Sequence, residues 1–348
     1  MTELAPRAHG EPLGSAVIRM LPEDFLVVEE LGFAPDGTGE HAFLYLEKRG
    51  LNTADLQQRL AELSGIPLAD ISFSGLKDRQ AVTRQWFSIR LAGRPEPDWL
   101  ALEAAGDLRV LEITRHSRKL RRGVHRSNYF ELRLRECTGD REALDARLQL
   151  LRARGVPNYF AEQRFGRGGS TEYQARQWVA GRGRRPTRTR RGLFLSALRA
   201  RLFNTLLARR VLEGSWDQLL PGDVCLLHGS RSLFTCDAVD DSLVARCRAG
   251  DVHPGLPLWG RGKASQGETQ WQRQLEWLAG ETEVCRFLEN QGLELDWRRT
   301  RLWPDDFSWD FCDDVLILRF RLGPGGYATS VLAELVDYRN GDGISEHS

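Results

Sequence analysis

Long apolar runs and a leader-like segment are both missing from this sequence. In its 348 residues no stretch approaches the roughly 18 uninterrupted apolar residues that a membrane helix needs, which excludes a transmembrane protein. Residues 1–7 contain no basic segment that leads into an apolar one, so we expect no secretory signal. These absences predict a cytoplasmic protein without a membrane partner.

Cysteine is scarce, and its spacing excludes the usual cysteine-based sites. The six cysteines form no C-x-x-C pair and have no neighbouring pair of histidines. The sequence therefore predicts neither a zinc site nor a disulfide framework. We expect the cysteine side chains to be small, buried apolar groups.

Lysine is also rare. The 49 basic residues include only four lysines: Lys48, Lys77, Lys119 and Lys263. With 48 acidic residues the net charge is +1, which ordinarily argues against a nucleic-acid partner. A near-neutral total does not exclude one, because the charge is unevenly distributed along the chain.

Two arginine-rich stretches, 109–126 and 182–191, contain a single acidic residue, Glu112. Gly183 and Pro186 in the second stretch predict a flexible basic loop. Taken singly, each stretch is equally consistent with a solvated, arginine-rich surface. Together the two stretches favour a polyanionic partner.

Hydrophobic periodicity predicts strands toward both ends of the chain and helices in the middle. Ala42, Leu44 and Leu46 alternate with other side chains, and 128–136 and 315–322 repeat this period of two. A helix from Thr53 to Gly65 lies between the early strands. Further helices are predicted after residue 140, ending at Gly155, and at four later segments: 170–181, 193–214, 268–280 and 282–292.

This order of elements predicts an insertion. We expect an α+β protein in which 1–154 and 303–348 form one domain built on a sheet. A second domain, 155–302, interrupts it.

The densest group of reactive side chains lies at 73–87, just ahead of a predicted strand, where Asp78 stands between Lys77 and Arg79. A cation close to the Asp78 carboxylate favours its ionised form, which suits a nucleophile or a base. The alternative is a surface aspartate in a charged turn.

Two further segments combine aromatic side chains with glycine-rich turns. The stretch 155–171 ends in a turn that opens a helix and suits a phosphate, but as a lone signal it favours an ordinary helix start. At 322–332 a flexible turn presents Tyr327 just before a short helix. An aromatic ring in that place can stack on a base, and core packing is the alternative.

An acidic segment, 303–314, gives a third kind of candidate. Its five carboxylates suit a divalent cation and therefore a metal-dependent nuclease. The aromatic residues between them indicate turns that lead into the following strand. The candidate ligands are Asp305, Asp306, Asp310, Asp313 and Asp314.

Taken together and in order, these segments resemble the tRNA pseudouridine synthase D (TruD) family. Residues 75–85 fit its pattern G-x-K-D-x-x-A-x-T-x-Q at every fixed position, and 158–166 fit its pattern N-Y-F-x-x-Q-R-F-G. The likeness covers nearly the whole chain. It continues at 22–25, 39–41, 52–53, 196–197, 202–204, 221–223 and 328–330.

The resemblance implies an isomerase that converts uridine to pseudouridine in tRNA, at position 13, on a base that is flipped out of the RNA. Asp78 matches the family's catalytic nucleophile, which attacks ribose C1′ or the uracil ring. By the same match, five residues bind the substrate: Phe25, Lys77, Asn128, Phe130 and Tyr327. Tyr327 departs from the family, which usually has Phe there.

The resemblance also implies a pseudouridine synthase core, an antiparallel or mixed sheet with flanking helices, and an inserted α/β domain. It implies that tRNA is the partner and that no metal or organic cofactor is used. The sequence leaves the oligomeric state open, with a monomer favoured. The alternative outside enzymes is a catalytically silent tRNA-binding or chaperone protein.

Overall fold

A computed structural model describes residues 5–182, 185–230, 232–262 and 266–341. Within these ranges the strands are β1 (Ser15–Ile18), β2 (Phe25–Leu31), β3 (His41–Arg49), β4 (Ile71–Phe73), β5 (Val82–Arg90), β6 (Leu108–His116), β7 (His125–Leu134), β8 (Val156–Pro157), β9 (Val224–Leu227), β10 (Leu233–Thr235), β11 (Val252–Leu258), β12 (Asp296–Arg299), β13 (Arg301–Leu302), β14 (Asp305–Cys312), β15 (Val315–Leu322) and β16 (Asp337–Asn340). The α-helices are α1 (Thr53–Ser64), α2 (Arg141–Arg154), α3 (Ser170–Val179), α4 (Arg188–Leu212), α5 (Asp241–Arg248), α6 (Glu268–Trp277), α7 (Thr282–Asn290) and α8 (Ala328–Ala333).

These elements belong to two compact units. The sheet unit consists of Leu13–Asp140, Pro304–Gly325 and 336–341. The helical unit consists of 5–12, Arg141–Trp303 and Gly326–Leu335. Both units are built from segments that are distant in sequence. The domains expected from the sequence, 1–154 with 303–348 and 155–302, stay a prediction.

The sheet unit is built on an eight-stranded mixed sheet. Its strands follow the order β14-β15-β7-β2-β5-β3-β6, and β4 pairs with β5 from outside this path. β2 runs parallel to β5, and the other neighbours in the sheet are antiparallel. A smaller parallel pair joins β1 to β16. The sheet with its helix confirms the predicted α+β class.

Helix α1 forms as the sequence predicts. The Asn52 side chain accepts hydrogen bonds from the backbone N–H groups of Ala54 and Asp55, which caps the first turn. Gly65 ends the helix at a φ of 64°, a conformation that glycine adopts without strain. Leu56 and Leu60 are fully buried in a core shared with β3 and β5. Burying them packs α1 against the sheet.

The helical unit is organised around the 25-residue helix α4. Its apolar face contributes Leu198, Phe203 and Leu206 to a core shared with α3, α6 and α7. A four-stranded sheet in the order β10-β9-β11-β12 completes this unit. α4 begins at Arg188, five residues earlier than expected, so the last part of 182–191 is helix rather than flexible loop. Gly183 and Arg184 of that stretch lie outside the described residues.

The acidic segment near the C-terminus is also more regular than expected. Strand β14 pairs with β15 as a hairpin, where the sequence indicated turns. β15 begins and ends at the predicted residues, 315 and 322. Within the described ranges, no helix combines the length and the apolar character needed to cross a membrane.

Candidate active site

Asp78 lies in the loop that joins β4 to β5, in the sheet unit. This loop is tied to the start of α1 by Thr53, whose Oγ1 accepts a hydrogen bond from the Lys77 backbone N–H at 2.9 Å. The same hydroxyl donates to Gln85 Oε1 at 3.1 Å, and Gln85 Nε2 lies 3.4 Å from the Gly75 carbonyl oxygen. The 75–85 pattern therefore includes residues that hold the loop in place, such as Gln85, as well as Asp78, which the loop presents.

The side chain of Asp78 is 37% exposed and forms an ion pair with Arg19, which is 8% exposed. Arg19 Nη2 donates to Asp78 Oδ2 at 2.9 Å. Sequence reasoning pointed to Lys77 or Arg79 as the neighbouring cation and missed Arg19. The guanidinium of Arg79 instead donates to the Gly50 carbonyl through its Nε, at 3.2 Å.

Arg19 is fixed from several sides. Its Nη1 donates to Asn340 Oδ1 at 3.1 Å, and its guanidinium carbon lies 4.0 Å above the centre of the Phe25 ring. Its φ of 54° is in the left-handed region, which costs a non-glycine residue on the order of 1 kcal/mol or more. Several contacts and a strained backbone thus place one cation at the Asp78 carboxylate.

Lys77 points away from solvent and toward a buried carboxylate. Its Nζ donates to Glu29 Oε2 at 2.6 Å, with the two side chains 5% and 0% exposed. Glu29 Oε1 in turn accepts the Trp86 backbone N–H at 3.2 Å. A Cβ on Gly75 would lie 3.3 Å from the Lys77 ammonium and 3.5 Å from the His125 ring, so a larger residue there would require the ammonium to shift by a few tenths of an ångström.

Asn128 continues this buried polar cluster, because it is the cross-strand neighbour of Glu29. Its Nδ2 lies 3.2 Å from His125 Nε2, and His125 Nδ1 lies 2.6 Å from Ser74 Oγ. Burial, reinforced by the Lys77 charge, lowers the pKa of His125. A neutral ring that donates through Nδ1 and accepts through Nε2 satisfies both contacts. Asn128 Oδ1 is buried and accepts no hydrogen bond from the described residues.

Phe25 and Phe130 form an apolar base beneath Arg19. The two rings meet edge to face with centres 6.3 Å apart, and Phe130 stacks on Phe320 at 5.5 Å. Both are buried, at 2% and 7% exposure. Phe25 supports the Arg19 guanidinium with its face, so it contributes to the site through that cation.

The sheet unit thus collects five of the six site residues named from the sequence, namely Phe25, Lys77, Asp78, Asn128 and Phe130. The sixth, Tyr327, lies in the helical unit, directly before α8. Its hydroxyl accepts hydrogen bonds from Arg164 Nη2 at 3.0 Å and Nε at 3.3 Å. Its ring, half-buried, meets Phe160 edge to face at 6.4 Å.

Residues of the 158–166 pattern connect several segments of the helical unit. Arg298 stacks on the Phe160 ring at 4.0 Å and donates to Asn158 Oδ1 at 2.6 Å. Asn204 brackets Phe160, accepting its N–H and donating to its carbonyl, both at 2.9 Å. Each of these residues therefore has a structural task, and the pattern does not by itself mark a reactive group.

The acidic segment does not gather into a metal site. Asp310 is paired with Arg319 at 2.5 Å, and Asp306 is paired with Arg321. Across the described residues, no group of three or more histidine, cysteine, aspartate or glutamate side chains is arranged to hold a metal ion. A nuclease built on these aspartates has no ligand set in the described part of the chain.

With this geometry in place, comparison with known proteins decides the family. The family model described as tRNA pseudouridine synthase D (TruD) matches residues 8–181 and 184–335. The chain belongs to the TruD family. It is therefore a pseudouridine synthase by family, and the loop around Asp78 lies within the matched region.

Individual relatives agree with the family match. The chain is 46% identical to a tRNA pseudouridine synthase D from Methylococcus capsulatus, over 96% of this chain and 94% of the relative. It is 45% identical to one from Nitrosococcus oceani, over 93% and 91%. A crystal structure of a TruD protein from Methanosarcina mazei has the same fold, with a TM-score of 0.66, 20% identity, and coverage of 93% and 94%.

Proposed function

We propose that this protein isomerises uridine 13 of tRNA to pseudouridine, with Asp78 as the nucleophile. The observation that carries the proposal is a half-exposed carboxylate held by Arg19 at 2.9 Å, on a loop that carries the TruD-family pattern. The reaction breaks the bond between ribose C1′ and uracil N1 and forms one between C1′ and C5. The proton lost from C5 is balanced by the one gained at N1, so no redox partner or cofactor is required.

The surroundings of Asp78 suit an anionic nucleophile. Arg19 orients one carboxylate oxygen and is itself held by Phe25 and Asn340, so little reorganisation accompanies attack. We propose that Asn128 and Lys77 recognise the polar edge of uracil. Phe25 and Phe130 form the apolar floor of the site in the sheet unit. We propose that the Tyr327 ring, in the helical unit, stacks on a base of the substrate.

Positive charge on both units supports an RNA substrate. In the sheet unit Arg118, Arg121 and Arg126 are exposed. In the helical unit Arg188 and its neighbours at 190 and 191 are exposed in the first turn of α4. Cations at that end oppose the helix dipole, so they destabilise the helix and concentrate positive potential where phosphates bind well. We therefore expect tRNA affinity to fall steeply with salt.

We further propose that the enzyme works as a monomer in a reducing compartment, the cytoplasm. All six cysteines are free thiols. Four of them are buried, as the sequence predicts: Cys225, Cys236, Cys247 and Cys285. Cys137 is half-buried and Cys312 exposed, so the prediction of buried side chains is wrong for these two. Exposed free thiols are typical of reducing surroundings.

The test is incubation of the purified protein with unmodified tRNA transcript, in EDTA and without added cofactor, followed by pseudouridine mapping. We expect product at position 13 with the wild type and none with a transcript that carries cytidine there. Asp78→Asn should lower the rate by about 10⁴-fold or more while tRNA binding stays within a few-fold, because the carboxylate acts in the chemical step.

Other results would redirect the assignment. Tight, salt-dependent binding without product, even at stoichiometric enzyme, identifies a silent tRNA-binding protein. Product at another uridine overturns position 13 alone. Full turnover by Asp78→Asn overturns Asp78 as the nucleophile.

A further inference from the structure

Lys48 is a charged side chain at a core position of the sheet unit. On β3 the inward-facing residues Ala42, Leu44 and Leu46 are buried apolar groups, and Lys48 continues their stripe with 0% exposure. Its ammonium donates to two backbone carbonyls, those of Leu51 and Asp78, the latter at 2.9 Å. Burying a charge among apolar side chains is costly, so a lysine here needs a reason beyond packing.

The two carbonyls belong to the two segments that meet at the candidate site. The segment 48–53, which leads from β3 into α1, also contacts the Asp78 loop through Gly50. The Gly50 N–H donates to the Ala81 carbonyl at 3.4 Å, and the Gly50 carbonyl accepts from Arg79. Lys48 adds the link at Asp78 itself, the residue whose carboxylate Arg19 binds.

We propose that Lys48 is a positioning residue for the reaction: its ammonium fixes the main chain of Asp78, and thereby the carboxylate, without contacting the substrate. The proposal rests on the proposed function of Asp78. Arg19 holds the side chain of Asp78 from one direction, and Lys48 holds its backbone from another. Displacement of a reacting group by about 1 Å costs on the order of 100-fold in rate.

The charge of Lys48 gives this role a pH signature. Burial lowers the pKa of Lys48 to about 8, from an ordinary 10.5. The negative charges of Asp78 on the loop and Asp55 on α1 act in the opposite direction, and the positive charge of Lys77 acts in the same one. From the adjacent strands, its cross-strand neighbours Thr83 and Leu108 carry no charge.

Rate and stability should therefore move in opposite directions above about pH 8. The neutral amine binds the two carbonyls more weakly than the ammonium does, so the rate falls. Between about pH 8 and 10.5 the unfolded chain holds a proton that the folded chain has lost, so the contribution of Lys48 to folding stability rises with pH. If Lys48 had only a structural role, stability would still rise above about pH 8 but the reaction rate would not fall.

The experiment measures single-turnover rates at saturating enzyme, together with tRNA affinity and urea stability, from about pH 6.5 to 9.5. Lys48→Met removes the donor, and Lys48→Gln retains an N–H₂ donor without the charge. Leu60→Ala is the matched control, because it opens a cavity in the same core away from the Asp78 loop. Asp78→Asn is measured beside them.

We expect Lys48→Met to lower the rate about 100-fold with affinity unchanged, and Lys48→Gln to lie between it and the wild type. The ratio of wild-type to Lys48→Met rates should shrink above about pH 8, while Leu60→Ala loses stability and keeps its rate.

A Lys48→Met rate within about 3-fold of the wild type, with Asp78→Asn inactive, overturns the role of Lys48 and leaves that of Asp78 intact. An equal loss of rate in Leu60→Ala also overturns it. If neither lysine variant folds, the wild-type profile decides, and a rate that stays flat while stability rises rejects the proposal. An active Asp78→Asn removes both proposals together.

Discussion

The sheet unit and the helical unit each contain an arginine–aspartate pair of the same length, in different surroundings. Arg19 and Asp78 are joined at 2.9 Å with the carboxylate 37% exposed. Arg210 and Asp223 are also joined at 2.9 Å, with both side chains 1% exposed. Asp223 is fully engaged: it accepts two bonds from Arg210 and one from the Leu220 backbone N–H.

Exposure separates what these two pairs do. Both aspartates lie in segments that carry the family resemblance, so the resemblance by itself does not distinguish them. A substrate can reach Asp78, whereas the burial of Asp223 leaves no such approach. The Asp223 pair therefore holds α4 to the following loop, and the Asp78 pair prepares a reactive group.

Matched asparagine variants of the two aspartates give the largest expected contrast. Asp223→Asn leaves the Arg210 guanidinium buried without its counter-charge, so we expect a loss of about 3–5 kcal/mol in the free energy of unfolding. Asp78→Asn should change stability by less than about 1 kcal/mol, because a partly exposed pair contributes little. Urea unfolding of both variants measures the difference, and equal losses would erase the distinction drawn between the pairs.

A buried histidine should make the stability of the helical unit sensitive to acid, an effect smaller than that of the aspartate variants. His253, in the helical unit, is fully buried and accepts a hydrogen bond from Arg301 Nε at 3.0 Å. Burial, reinforced by the charge of Arg301, lowers its pKa from 6.5 to about 2. Below pH 6.5 the unfolded chain binds a proton on His253 that the folded chain does not bind. The free energy of unfolding should therefore fall by about 1.4 kcal/mol for each unit by which the pH is lowered.

The variant His253→Asn isolates this effect. It should be less stable than the wild type at neutral pH, and its stability should depend less on pH between about 6.5 and 4.5, by the slope of one proton. Urea unfolding at several pH values gives that slope. A variant that keeps the full wild-type slope would assign the acid sensitivity to other groups.

Local patterns predicted the elements better than the contacts between them. The ends of β15 and the limits of α1 follow from alternation and from capping residues that are neighbours in sequence. The start of α4 was missed because arginines in a first turn oppose the helix dipole and do not resemble a helix start. Thr187, whose side chain accepts a hydrogen bond from the Arg190 backbone N–H, caps this turn, and this N-cap signal in the sequence was overlooked.

Arg19 was missed for a different reason, since 59 residues separate it from Asp78 and no local pattern joins them. Glu29 and Lys48, in contrast, did leave a signal in the sequence. Each continues an inward-facing apolar stripe, on β2 after Phe25 and Val27 and on β3 after Leu46. A charged residue in such a stripe marks a buried polar cluster, and here both stripes lead to the Asp78 loop.

Tyr327→Phe offers the smallest and finest test of the comparison, because it removes one oxygen and keeps the ring. Arg164 loses an acceptor and keeps its bond to Ser196 Oγ at 3.0 Å, so we expect a loss of about 1 kcal/mol in stability. Turnover should stay close to the wild type, since the proposed stacking needs only the ring, whereas Tyr327→Leu should weaken it. Stability and single-turnover rate measured on both variants separate the hydroxyl from the ring. A Phe variant that is stable but turns over ten times more slowly would mean that the hydroxyl on Arg164 serves the reaction, which would give the helical unit a polar part in the chemistry.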